Sequence, residues 1–78
     1  MVHMTQHVLD ARGLICPMPV IKTQNKVKSL TAGDTLVVQC TDPGVLQDIP
    51  SWCRIFGHEV VETETLDNEI NITLLIKD

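Results

Sequence analysis

Residues 35–57 read TLVVQCTDPGVLQDIPSWCRIFG, and a strand followed by a helix is visible in them without further help. Thr35 to Cys40 is β-branched and apolar with no break, the pattern of a strand buried in a sheet. Asp42-Pro43 is a helix-start signal, an acceptor side chain followed by a residue whose missing N–H costs nothing in a first turn. Val45, Ile49, Trp52, Cys53 and Phe56 then recur at i, i+4, i+7, i+8 and i+11, one apolar stripe of a helix. Pro50 interrupts the stripe, so a kink or restart is expected near Asp48, which can cap the second part. Gly57 is the natural stop.

Downstream, His58 to Thr65 reads as a strand around Val60 and Val61. Asp67-Asn68 reads as a turn, and Glu69 to Lys77 as a strand with Ile70, Ile72, Leu74 and Ile76 on one side. Upstream, Val8 to Ala11 is a short strand signal, and Arg12 to Ile15 is a loop whose Gly13 can take positive φ. Val20 to Leu30 reads as a helix with Val20, Val27 and Leu30 on one face, Thr23 and Gln24 between them, and Lys22, Lys26 and Lys28 away from it. Thr31 to Asp34 ends it in a glycine turn. The order β-α-β-α-β-β predicts an α/β two-layer sandwich, a mixed four-stranded sheet with both helices on one face. A right-handed first crossover makes the first two strands parallel. Residues 1–8 are expected to be a flexible N-terminus and residues 9–78 a single domain.

The length, 78 residues, allows one small domain, and 44% hydrophobic content is that of a globular chain. Trp52 and Phe56 are the only aromatics, too few for a nucleic-acid binder built on stacking. No apolar run approaches the roughly 20 residues of a membrane span, and no secretory signal is expected from Met1 to Val8. Arg12, Lys22, Lys26 and Lys28 against Asp10 give residues 1–33 a net charge of +3; Arg54 and Lys77 against five Asp and four Glu give residues 34–78 a net charge of −7. This asymmetry fits either a docking face for an acidic partner, with Lys22 and Lys26 as its candidates, or an ordinary solvated helix face. It is not the strong basic footprint of a nucleic-acid coat protein.

Three cysteines at 16, 40 and 53 form no Cys-x-x-Cys, so a disulfide scaffold is disfavoured and a reducing cytoplasm is the expectation. None of the spacings of Cys and His matches a zinc pattern, and His3 and His7 fall in a terminus expected to fray, so no metal is expected. Cys53 belongs to the apolar stripe and reads as core. Cys40 reads as core from its position in a buried strand, although its nearness to the edge where helices begin leaves room for a second thiol role. His58 reads as structural, and Asp42 and Asp48 as helix caps rather than acids or bases.

Cys16 is the candidate reactive group. It leaves the first strand at the sheet edge where open α/β sheets place ligands, and it stands at the expected N-cap of the first helix. A helix N-terminus favours thiolate. Pro17 and Pro19 stiffen the turn but remove two N–H donors, so the expected thiolate bias is modest, with Arg12 and Lys22 as further positive charge. The alternative on the residues alone is a small buried hydrophobe.

The stretch Leu9-Asp10-Ala11-Arg12-Gly13-Leu14-Ile15-Cys16-Pro17-Met18-Pro19 resembles the signature of the TusA/SirA sulfurtransferase family. Gly33-Asp34, Thr41-Asp42-Pro43, Asp48-Ile49-Pro50 and Gly57-His58-Glu59 match the same pattern in order, so the resemblance runs from about Leu9 to Lys77. Cys40 is an addition to it. The resemblance implies a small sulfur carrier with a fold like the C-terminal domain of translation initiation factor three. Cys16 would accept sulfane sulfur as a persulfide from a cysteine desulfurase or rhodanese and pass it to a downstream sulfur-relay protein. The known destinations in the family are tRNA 2-thiolation, molybdenum-cofactor assembly and sulfur oxidation. Pro17 and Pro19 correspond to the motif prolines, Arg12 and Gly13 to the loop before the cysteine. No cofactor, no direct nucleic-acid contact and no membrane are expected. Two other readings stand beside it: a non-catalytic regulatory binding module using the same edge, and a redox switch pairing Cys16 with Cys40, which needs Cα atoms within about 7 Å.

Overall fold

The structure, a computed structural model, describes residues 5–77. Its elements are β1 (Gln6–Ala11), α1 (Met18–Val27), β2 (Thr35–Cys40), α2 (Val45–Phe56), β3 (Glu59–Leu66) and β4 (Glu69–Leu75). The four strands form one sheet in the order β1-β2-β4-β3. β1 and β2 are parallel, with Ala11 beside Cys40 at their C-terminal ends, and the β2–β4 and β3–β4 pairs are antiparallel. This is the mixed sheet of the expected two-layer sandwich.

Alternation builds the core. Leu36, Val38 and Cys40 of β2 and Ile70, Ile72 and Leu74 of β4 point to one face, where α2 lays down Val45, Ile49, Trp52 and Cys53. From α1, Val20 and Val27 pack against the same cluster, and Pro19 and Thr23 are buried. The Thr23 hydroxyl donates to the Pro19 carbonyl at 2.8 Å, so its burial leaves no unpaired donor. Gln24, expected on this face, is exposed.

Boundaries differ from the sequence expectation in instructive ways. β1 begins at Gln6, so residues 6–8 belong to a strand instead of a flexible terminus; residues 1–4 lie outside the described residues. His7 does not fray either: it pairs in register with Leu36, and its Nε2 lies 3.3 Å from Asp34 Oδ2. Asp34 fixes this corner by also accepting the amides of Thr31 (3.1 Å) and Thr5 (3.4 Å). α1 starts two residues earlier than Val20 and ends at Val27, because the amides of Ser29 and Leu30 turn back three residues, to Lys26 and Val27, and tighten the last turn. α2 runs unbroken through Pro50, and no restart occurs at Asp48. Burial of Ile49, Trp52 and Cys53 on both sides of the proline holds the helix together where its ladder lacks a donor. Gly57 ends it at φ 80°, a left-handed conformation that glycine adopts without strain. Asp67 takes φ 55° in the two-residue β3–β4 turn.

Candidate functional site

The parallel pairing of β1 and β2 brings two loops out of one sheet edge. The first, residues 12–17, carries Cys16; the second, residues 41–44, leads into α2. They are fastened to each other. The Gly13 amide donates to Thr41 Oγ1 at 2.9 Å, the Cys16 amide donates to Asp42 Oδ2 at 2.9 Å, and the Cys16 thiol donates to Asp48 Oδ2 from α2. Asp42 Oδ1 accepts the Gly44 amide at 3.2 Å, so one carboxylate closes its own turn and holds its neighbour's backbone. Gly13 takes φ 80° where its loop turns toward Thr41.

Cys16 is exposed, as are Ile15 and Met18 beside it. It lies one residue further from α1 than expected: Pro17 is the N-cap, with no side-chain hydrogen bond, and Met18 is the first helical residue. The Cys16–Pro17 peptide is cis. Pro19 is buried under the first turn and Pro17 is exposed.

The electrostatics reverse the sequence expectation. The Cys16 thiol is held above the ordinary cysteine range, first by its hydrogen bond to Asp48, then by desolvation, then by the charges of Asp48 and Asp42. The expected thiolate bias is therefore absent. The physical reason is that the neighbouring charges are negative, while the cations are engaged elsewhere. Arg12 grips Asp10 through Nε (2.9 Å) and Nη2 (3.2 Å) and reaches Glu69 Oε1 at 3.3 Å. That pairing pulls the Asp10 carboxyl down to about 2. Lys22 Nζ donates to the Asp10 carbonyl at 3.2 Å. Lys26 is half-buried in the last turn of α1. Arg12 and Lys22 thus brace the end of β1 instead of charging the thiol.

Cys40 and Cys53 are fully buried, and burial pushes both thiols up to about 11. Cys40, which the sequence left open as a second thiol, is buried in the core as a free cysteine. His58 is structural: Nδ1 accepts the Lys77 amide at 3.1 Å, and its ring stacks on Trp52 with centroids 5.3 Å apart. A shallow apolar depression of about 190 Å³ lies between the second loop and the β3–β4 turn, lined by Thr41, Pro43, Leu46, Asp67 and Ile70 among others, and Cys16 is not part of it. Among the described residues no helix is long and apolar enough to cross a membrane.

Thr41, Asp42 and Asp48 were not foreseen as parts of the site. Asp42, expected as the N-cap of α2, is not the cap: Gly44 takes that position and α2 begins three residues after Asp42, whose Oδ1 closes the turn and whose Oδ2 serves Cys16. Asp48 caps nothing and holds the thiol instead. The signal was present: both carboxylates belong to sequence blocks quoted above, and a strand parallel to β1 must deliver its following loop to the same edge.

The profile of the family described as "Sulfurtransferase TusA" matches residues 7–77. The protein named sulfur carrier protein TusA of Pseudomonas aeruginosa (strain UCBPP-PA14) is 47% identical over 64 residues, covering 82% of this chain and 81% of that one. YrkF of Bacillus subtilis (strain 168), provisionally named a sulfur carrier protein, is 47% identical over 57 residues, 73% of this chain but 31% of its own length. The crystal structure of a SirA-like protein from Desulfitobacterium hafniense superposes with a TM-score of 0.80 over 92% of this chain and 99% of that one, at 24% identity, and shares the fold.

Proposed function

The chain belongs to the TusA sulfurtransferase family, and from that premise we propose that it is a sulfur carrier which takes sulfane sulfur as a persulfide on Cys16 and hands it to a partner protein. The observation that carries this reading is the contrast among the three thiols: Cys16 is exposed at the clasped edge, and Cys40 and Cys53 are sealed in the core. A thiol presented at the surface suits two successive dockings, first with a donor and then with an acceptor, because each transfer is an attack of one sulfur on another and depends on access.

The donor on this reading is a cysteine desulfurase or a rhodanese. The acceptor is a downstream sulfur-relay protein of tRNA 2-thiolation, cofactor assembly or sulfur oxidation, and the setting is the cytoplasm. Exposed Ile15 and Met18 supply apolar contact beside the thiol, and the lysines of α1, Lys22 and Lys26, lie on the helix that follows it. Incubation with a cysteine desulfurase and free cysteine is expected to add the mass of one sulfur atom to the peptide containing Cys16. Cys16→Ser is expected to abolish that gain; a Cys16→Ser protein that labels as well as wild type would overturn the assignment.

A further inference from the structure

The groups around the Cys16 thiol are unusual for a sulfur that must attack. From α2 the Asp48 carboxylate accepts its proton, and from the second loop Asp42 accepts the amide of the same residue. From the first loop Arg12 faces Asp10 and Glu69, and from α1 Lys22 is turned to the Asp10 carbonyl. Among the described residues no side-chain cation pairs with Asp42 or Asp48. A carboxylate is acceptor-only when ionised, so its attraction is for the protonated sulfur and its repulsion is for the anion.

We propose that Asp48 is a positioning residue for sulfur transfer: its carboxylate tethers the empty thiol as a hydrogen-bond donor and repels the loaded, anionic persulfide, so that the carried sulfur is turned out toward the acceptor. This deepens the carrier reading and rests on it. In loading, a lone pair of the Cys16 sulfur forms a bond to the terminal sulfur of the donor's persulfide. The donor's S–S bond breaks and its electron pair stays on the donor sulfur as thiolate. The Cys16 proton leaves by way of Asp48 for water or for that thiolate, and no oxidant is consumed. A persulfide ionises more readily than its parent thiol. The new terminal sulfur therefore has no proton to offer Asp48, and the tether is lost at the moment the cargo arrives. One carboxylate thus distinguishes empty from loaded by charge alone.

The test is alkylation of native protein by iodoacetamide from neutral to alkaline pH, which reads Cys16 because the other two thiols are buried. For the empty protein, Asp48→Asn is expected to move the alkylation midpoint to lower pH and to raise the rate at neutral pH. The gain is roughly threefold for each pH unit of movement, since thiolate fraction rises about tenfold while nucleophilicity falls about threefold. Asp48→Glu is expected to keep the wild-type profile. With Cys16 loaded by inorganic polysulfide, the ratio of loaded to empty alkylation rates is expected to be several-fold smaller in Asp48→Asn than in wild type. Circular dichroism checks that each variant is folded, and Asp48→Ser replaces the amide if it is not. An Asp48→Asn profile superimposed on wild type, with an unchanged ratio, would overturn the role of Asp48. Failure of a desulfurase to load Cys16 would instead overturn the carrier reading while leaving the alkylation profile intact.

Discussion

The two loops at the Cys16 edge divide their labour. The first, residues 12–17, holds the only exposed thiol and ends in Pro17, which has no N–H to donate. The second, residues 41–44, has no reactive atom but supplies the acceptors, Thr41 and Asp42, that fix the first, and α2 behind it adds Asp48. The same contrast holds between thiols. Cys40, the last residue of β2, lies opposite Ala11 at that edge yet faces the core; Cys16 lies beyond the strand and is exposed. Exposure here follows from whether a cysteine ends the strand or lies in the loop beyond it, and the geometry of the Cys16 loop follows from its neighbour.

Three perturbations break or sharpen this division. The largest removes the platform of the second loop: Ile49→Ala empties a fully buried site next to Asp48 and is expected to cost about 2–5 kcal/mol in denaturant unfolding. In the fraction that remains folded, the Cys16 alkylation rate should stay at the wild-type value, which would separate the stability of the platform from the chemistry it presents. A smaller effect is expected from Thr41→Val, which keeps the shape but removes the acceptor of the Gly13 amide. The expected loss is about 1 kcal/mol, the net worth of one neutral hydrogen bond, with faster amide exchange at Gly13 by NMR.

The smallest effect is the acid dependence. Asp42 is held below the ordinary carboxylate range by the amides of Cys16 and Gly44, Asp34 by the amide of Thr31 and then by Thr5 and His7, and Asp10 by Arg12. Depressed folded values mean that these contributions are fully present above the unfolded carboxylate pKa, near 4. They are lost as pH falls through the folded values. Melting temperature is thus expected to be flat from neutral pH to about 4 and to decline below it. In Asp42→Asn the decline should be shallower, because one of the three carboxylates no longer titrates.

Hydrophobic periodicity and turn residues determined the order β-α-β-α-β-β, the inward faces of α2 and β4 (Phe56 excepted, which is exposed) and the Asp67-Asn68 turn, because period and turn chemistry are local properties of a chain. Cys16 stood out for the same reason: its proline-flanked position is written in adjacent residues. What the tertiary structure decided was the company Cys16 keeps. The second loop and α2 are 26 and 32 residues away in sequence, and only the parallel alignment of β1 with β2 brings Asp42 and Asp48 against it and Thr41 against Gly13 of its loop. Charge near the thiol was misjudged from the sequence because Arg12 and Lys22 are close along the chain but bound to Asp10 and Glu69. The strand start at Gln6 and the unbroken helix through Pro50 were missed on similar grounds. Each is stabilised by partners from distant segments, Leu36 and Asp34 for the strand and the shared core for the helix, and those partners outweigh the local signal.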